Sequence, residues 1–249
     1  MTTIDLNSDL GEGAGTEAAI MPLITSANIA CGAHAGDERS MREAIVLAKA
    51  SGVDVGAHPG YRDPANFGRK PLDVPAAELV ADLVAQIEML TAIAGSEGVS
   101  VTHVKGHGAL YNTAQHDEAV AAAIVRAIER SARDLILYVF PGSALERAGR
   151  AAGLRVAREG FIDRAYEPNG ALRSRTLEHS LITDPARAAA QAVSFMVDGG
   201  VRAHEGTFLE QAVDTLCVHG DTPGAPIILH AARAALVAAG IRVERLRAA

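Results

Sequence analysis

Val101-Thr102-His103-Val104-Lys105-Gly106-His107-Gly108-Ala109-Leu110-Tyr111-Asn112 runs from β-branched residues straight into two glycines and a cluster of ionisable side chains. In an extended strand alternate residues face the same way, so His103, Lys105 and His107 share one side while Thr102 and Val104 take the other. Gly106 and Gly108 let the backbone turn sharply and leave room for close approach. Any one of these residues alone would read as a structural group in a solvated loop. The pattern, however, recurs along the chain.

Apolar strand-like runs at 4–10, 25–31, 53–57, 135–140, 155–161 and 214–218 join the opening stretch. Most are followed at once by polar clusters: Gly11-Glu12-Gly13, Gly32-Ala33-His34-Ala35-Gly36-Asp37, His58-Pro59-Gly60, Asp163-Arg164 and His219-Gly220-Asp221. Helical spacing fills the intervals at 40–51, 76–94, 117–132, 143–152, 185–197 and 225–239, before a short segment at 241–246. Ser40 with Glu43 has the capping-box form. The loop 61–75, with Phe67 between basic residues, reads as an ordered lid, and 167–183 as an excursion before the next helix. Alternating strands and helices favour a parallel sheet. Chemistry drawn from many strand ends favours a closed barrel over an open sheet with one switch point. The expectation is an α/β chain forming one distorted (β/α) barrel domain, 1–249, with seven or eight strands.

Composition narrows the functional class. Apolar residues make up 49% and charged residues 21%, tryptophan is absent, and the formal charge is -7. An acidic, aromatic-poor chain is a poor nucleic-acid binder. No uninterrupted apolar run approaches the ~20 residues of a membrane span, and 1–5 shows no secretory pattern. Cys31 and Cys217 read as buried, reduced thiols, inert as nucleophiles, in a cytoplasmic protein.

Taken together, several motifs resemble the LamB/YcsF family, the A subunits of bacterial ATP-dependent 5-oxoprolinase. They are Asp5-Leu6-Asn7-Ser8-Asp9 with Gly11-Glu12-Gly13, Ser26-Ala27-Asn28-Ile29-Ala30-Cys31-Gly32 and His34-Ala35-Gly36-Asp37. Gly56-Ala57-His58-Pro59, Phe67-Gly68-Arg69, His107-Gly108-Ala109-Leu110-Tyr111-Asn112, Asp163-Arg164 and Cys217-Val218-His219-Gly220-Asp221-Thr222 complete the set. Gly106, Asn66, Lys70 and Ile162 depart from the family pattern without removing a candidate side chain. The resemblance implies a glycoside hydrolase/deacetylase-like distorted barrel. It also implies a hydrolase that opens the 5-oxoproline lactam to L-glutamate, with ATP cleaved to ADP and phosphate and with subunits B and C as partners. The chain has no Gly-x-x-x-x-Gly-Lys-Ser/Thr loop, so ATP is expected to bind mainly with the partners.

Lactam hydrolysis needs an activated water and a charge-stabilised oxyanion. Asp9, Glu12, His58, His107 and His219 are the catalytic candidates for the first, Lys105 and Arg164 for the second. Asn7, Asn28 and Asn112 could read amide and carboxylate, and His34, Glu159, Asp163 and Asp221 join the substrate-binding set. Asp5 is expected to anchor the barrel floor and His103 to be structural. His116, His179, His204 and His230 are expected at the surface. Asp9, His58 and His107 could hold a divalent metal as a deacetylase-like set, a reading that no short ligand motif supports. The alternative function is therefore a metal-dependent deacetylase or hydrolase of a small N-acyl compound. A third is a non-catalytic protein that binds a polar small molecule.

Overall fold

The computed structural model describes residues 2–131 and 134–246. In chain order the elements are β1 (Thr3–Leu10), α1 (Glu17–Ile20), β2 (Ser26–Ala30), α2 (Glu38–Ser51), β3 (Asp54–His58) and α3 (Ala76–Ser96). Then come β4 (Val101–Lys105), α4 (Gly108–Thr113), α5 (Glu118–Ser131), β5 (Ile136–Val139), α6 (Ala144–Ala151) and β6 (Val156–Phe161). The chain ends with α7 (Pro185–Val197), β7 (Gly200–Arg202), β8 (Phe208–Glu210), β9 (Thr215–Cys217), α8 (Ala225–Ala238) and β10 (Arg242–Val243).

Strands β1, β2, β3, β4, β5, β6 and β9 pair in parallel, and β9 returns to β1 with Asp5 opposite Thr215 and Asn7 opposite Cys217, closing the barrel. The short β10 adds only Arg242 and Val243 beside the start of β1. Helices wrap the outside, and the apolar core lies between them and the outward strand faces: Leu6, Ile29, Val55, Val104, Leu137 and Leu216 are all buried there. Within α3 the row Leu79, Leu83, Ile87 and Leu90 is buried at helical spacing, each side chain contributing about 1.5–3 kcal/mol by leaving water. This 21-residue helix, mean hydropathy 1.4, is long and apolar enough by length and composition to cross a membrane, which the strand-and-helix reading had not anticipated. Half of that stretch is buried against the barrel, as a core helix is.

Local signals place several boundaries differently from the sequence reading. The cap of α2 is Asp37, whose carboxylate accepts from the Ser40 backbone while the Ser40 hydroxyl accepts from the Asp37 N–H; Ser40 is therefore the third helical residue, not the cap. The opening stretch does not remain a loop after Lys105 but winds into α4, with His107 as its first flanking residue. The antiparallel hairpin β7–β8 lies outside the barrel and had no sequence signal, its strands being three residues each. Ala132, the expected end of the helix at 117–132, lies outside the described residues.

The barrel interior is polar for most of its depth. Period-two alternation turns Asp5, Asn7 and Asp9 inward from β1, with Ser26 and Asn28 from β2 and His103 and Lys105 from β4. Only its base is apolar, where Ile136, Tyr138 and Ala157 form a small cluster apart from the main core, with Leu246 against it.

Candidate functional site

Four donors converge on the deepest carboxylate. Thr25, Ser26, Thr215 and Tyr138 hydroxyls all reach Asp5 at 2.6–3.2 Å, so Asp5 ties four strands together. One level up, Asn7 donates to Thr215 at 2.7 Å, and Asn28 donates to Asn7 and to Asp9, both at 2.8 Å. His103 Nε2 donates to the Asn28 carbonyl oxygen at 2.9 Å and its ring stacks on Tyr138 at 4.5 Å. Burial pushes the His103 imidazole down to about 3, so the ring is neutral. Every polar group in this stack has a partner, which is what makes a polar barrel interior tolerable.

Lys105 occupies the next level. Its ammonium donates to Asp9 at 2.9 Å and to the Cys217 sulfur at 3.1 Å, and lies 2.8 Å from the Glu159 carboxylate. Burial alone would lower the Lys105 ammonium, but Asp9, Cys217 and Glu159 together hold it well above the ordinary lysine value. Burial raises Glu159. Burial would also raise Asp9, yet His58 and Lys105 hold its carboxyl well below the usual range. Asp9 is thus an anion fixed against a buried cation.

Beside Asp9, the first βα loop returns Glu12 into the barrel mouth, where it meets three imidazoles. Glu12 Oε1 lies 3.1 Å from His34 Nε2, 3.0 Å from His107 Nδ1 and 3.6 Å from His58 Nε2. His34 and His107 stack in parallel at 3.6 Å, with the Phe67 ring against both. Phe67 itself sits at φ 55 with its carbonyl turned onto His107. The loop expected as a lid is therefore ordered over the histidines. Gly68 behind it is crowded, since a Cβ there would come 2.8 Å from His34.

These groups line one side of a cavity of about 510 Å³ at the carboxyl end of the barrel. Its other side is basic. Arg69 and Arg175 both pair with Asp221 at the rim, and Arg164 is anchored to the carbonyls of Ser180 and Arg173. Burial and the neighbouring Arg175 lower the Arg164 guanidinium to about 10. Between the two sides stands His219, flat against Phe161 at 5.4 Å. Asp163 accepts from the His219 backbone at 3.0 Å and from its Nδ1 at 2.9 Å, and from the Thr222 hydroxyl at 2.6 Å. That contact fixes the proton on Nδ1 and leaves Nε2 turned toward Asp9, 4.0 Å away. A wider hollow of about 810 Å³ at the opposite end, lined by Thr25, Asp54 and Arg245 among others, lies at the strand starts, away from this chemistry.

The structure thus gathers Asp9, Glu12, Lys105, His107, Arg164 and His219 around one cavity, with His58 and His34 just beneath. It does not put all expected substrate readers there. Asn7 and Asn28 lie a level below, with their amides engaged by Thr215, Asp9 and His103, and Asp163 faces His219. Glu159 is fully buried behind Lys105 and Asp221 bridges two arginines, whereas Asn112, exposed, does line the cavity. Cys217 packs with the core but also turns inward along β9, its sulfur meeting Lys105, a placement the period-two rule could have given. Sequence reasoning also missed Arg175, whose signal was only a basic excursion, and His116, which is exposed but lines the cavity. The other histidines expected at the surface, His179, His204 and His230, are exposed.

Residues 4–249 match the model of the LamB/YcsF family. A relative from Symbiobacterium thermophilum, named as the A subunit of 5-oxoprolinase, is 51% identical over 245 residues, covering 96% of this chain and 94% of its own. The crystal structure of a lactam utilization protein from Thermus thermophilus superposes with a TM-score of 0.92 at 43% identity, covering 98% of this chain and 100% of the other. A more distant structure, the T48 deacetylase with substrate, has a TM-score of 0.51 at 12% identity over 97% of this chain and 87% of its own, a likeness of barrel fold alone. On the match across nearly its whole length, the chain belongs to the LamB/YcsF family.

Proposed function

We propose that this chain, as one barrel domain, is the A subunit of an ATP-dependent 5-oxoprolinase that opens the 5-oxoproline lactam to L-glutamate with partner subunits B and C. The observation that carries the reading is the division of the cavity. An oriented Asp163–His219 pair and the Asp9–Lys105 ion pair face a rim of three arginines offset by one carboxylate. A cyclic amide bearing a carboxylate suits that division: the anion goes to the arginines and the ring amide to the polar wall. Relatives named as 5-oxoprolinase A subunits and a lactam utilization protein support it.

The roles then follow from proton positions. His219, with Nδ1 held by Asp163, offers Nε2 as a base for the attacking water. Asp9 is a poor base because Lys105 keeps it ionised, so its part is electrostatic. Lys105 is held inside the barrel by Asp9, Glu159 and Cys217, which leaves Arg164 to meet developing negative charge. In the overall balance two waters are consumed. One opens the lactam, with the ring C–N bond broken and the nitrogen leaving as the amino group of glutamate. The second is taken up as ATP is cleaved to ADP and phosphate by an activation that the partner subunits supply. The two buried free cysteines suit a reducing, cytoplasmic setting.

The test is glutamate release from 5-oxoproline and ATP with the chain alone, with B and C alone, and with all three. Release only from the complete mixture supports the reading. Release from B and C without this chain, or deacetylation of small N-acyl compounds by the isolated chain, overturns it.

A further inference from the structure

Two backbone carbonyls fix the protons of the central histidine pair. His58 Nδ1 lies 2.8 Å from the Lys105 carbonyl and His107 Nε2 lies 2.9 Å from the Phe67 carbonyl. A carbonyl only accepts, so both of those nitrogens carry hydrogen. In the neutral rings the remaining nitrogens, His58 Nε2 and His107 Nδ1, present lone pairs to each other across 3.0 Å. Both also face the Glu12 carboxylate, at 3.6 and 3.0 Å. Three lone-pair donors aimed at one point repel unless a proton or a metal cation lies between them. The rings are buried, His58 fully and His107 to within 4% exposure, so water does not relieve the repulsion.

The spacing fits a metal ion. Donors bound at about 2.0–2.1 Å in a tetrahedral site stand roughly 3.3–3.4 Å apart, and these stand 3.0–3.6 Å apart. Imidazole rings whose second N–H is held by a carbonyl are the usual supporting arrangement of such sites. From these contacts we infer that Glu12, His58 and His107 form a binding site for one divalent first-row transition metal of borderline softness, such as zinc, cobalt or nickel. Two imidazoles with one carboxylate disfavour magnesium and calcium. His34 is a positioning residue: its Nε2 holds Glu12 Oε1 at 3.1 Å and its ring stacks on His107. Glu12 and His107 border the cavity, so the open side of the ion faces the space where a ligand would sit.

This site differs from the Asp9, His58 and His107 set read from the sequence. Glu12 takes the place of Asp9: Asp9 Oδ2 lies 3.4 Å from His58 Nε2, but Glu12 Oε1 reaches both imidazoles, and Asp9 Oδ1 is engaged by Lys105 and Asn28. The inference concerns binding only and stands whichever amide the cavity accepts.

The experiment is equilibrium dialysis of chelator-stripped full chain against zinc or cobalt, read by elemental analysis, with thermal melts of the same samples. One equivalent of metal per chain and a rise in melting temperature are expected. Glu12→Gln and His58→Gln, each near in shape to the residue replaced, should weaken binding by more than about 100-fold, and His34→Gln by about 10–100-fold. Cobalt loading should give a visible absorption band in the wild type that both ligand variants lack. His230→Gln, on an exposed face of α8, should bind as the wild type does. No stoichiometric uptake by the stripped wild type, or unchanged affinity in folded Glu12→Gln and His58→Gln, overturns the inference. Loss of glutamate release with metal binding intact would instead count against the 5-oxoprolinase reading.

Discussion

Gly56 is the point where the polar interior can be tested with one methyl group. A Cβ built there would lie 2.1 Å from His103 Cδ2 and Nε2, inside the imidazole ring. The ring cannot step aside cheaply, because it is stacked on Tyr138 and its Nε2 donates to Asn28. Gly56→Ala therefore adds an overpacking cost of about 1–3 kcal/mol. Losing the donor to the buried Asn28 carbonyl adds about 1–3 kcal/mol more. A total on the order of 2–6 kcal/mol is expected. In urea, with a slope of about 1–3 kcal/mol/M, the unfolding midpoint should fall by about 1 M or more. The double variant Gly56→Ala/His103→Ala should be less damaged than the sum of the singles by about 0.5–3 kcal/mol, since the methyl group then enters the vacated space. The assay is urea unfolding followed by circular dichroism. A Gly56→Ala midpoint matching the wild type, or strict additivity in the cycle, would refute the layered packing of the interior.

Other outcomes follow from the same geometry. Lys105→Met should cost about 3–5 kcal/mol, because it leaves Asp9 and Glu159 facing each other in the barrel without a cation; a melt within a degree of wild type would contradict this. Burial would raise Asp163, but His219 and Thr222 hold it at about 2. A depressed carboxyl stabilises the fold above its unfolded pKa of about 3.9, and that stability fades as pH falls toward 2, so Asp163→Asn should lose about 2 kcal/mol near neutral pH. Melts of the pair should converge as pH falls from about 4, and a constant gap would show that the charge is not responsible. Arg175→Ala should raise KM for an anionic substrate by about tenfold or more with a smaller change in kcat, as loss of uniform binding does; an unchanged KM would remove the rim from substrate recognition. The isolated chain should hydrolyse ATP negligibly, since its sequence offers no phosphate loop; robust ATP hydrolysis by the pure chain would contradict this.

The barrel was legible because its two periodicities are clean. Inward Asp5, Asn7 and Asp9 alternate with outward Ile4, Leu6 and Ser8, and the helical rows of α3 and α7 are bounded by glycine or proline. The strand ends therefore pointed to the mouth of the barrel where the candidate residues gather around the cavity. Depth was harder to read. Asn7, Asn28 and Glu159 carry the same residue chemistry as a binding site but sit beneath it, and only the register between strands tells the two apart. Glu12 and Arg175 lie on segments without periodicity, so their meeting with His107 and Asp221 depends on loop paths that no local pattern encodes. The tautomers of His58 and His107 were likewise out of reach, since each is set by a carbonyl from another segment: Lys105 for His58, Phe67 for His107.

Turnover by His219→Gln in the reconstituted three-subunit mixture tests the central claim most directly. The substitution keeps the Nδ1-side contact with Asp163 within reach of an amide but removes the basic Nε2. Glutamate release per folded molecule should fall by about 10²–10⁴ with the melting temperature of the chain little changed. Wild-type turnover in a folded His219→Gln variant would contradict the account, and with it the assignment of lactam opening to this end of the barrel.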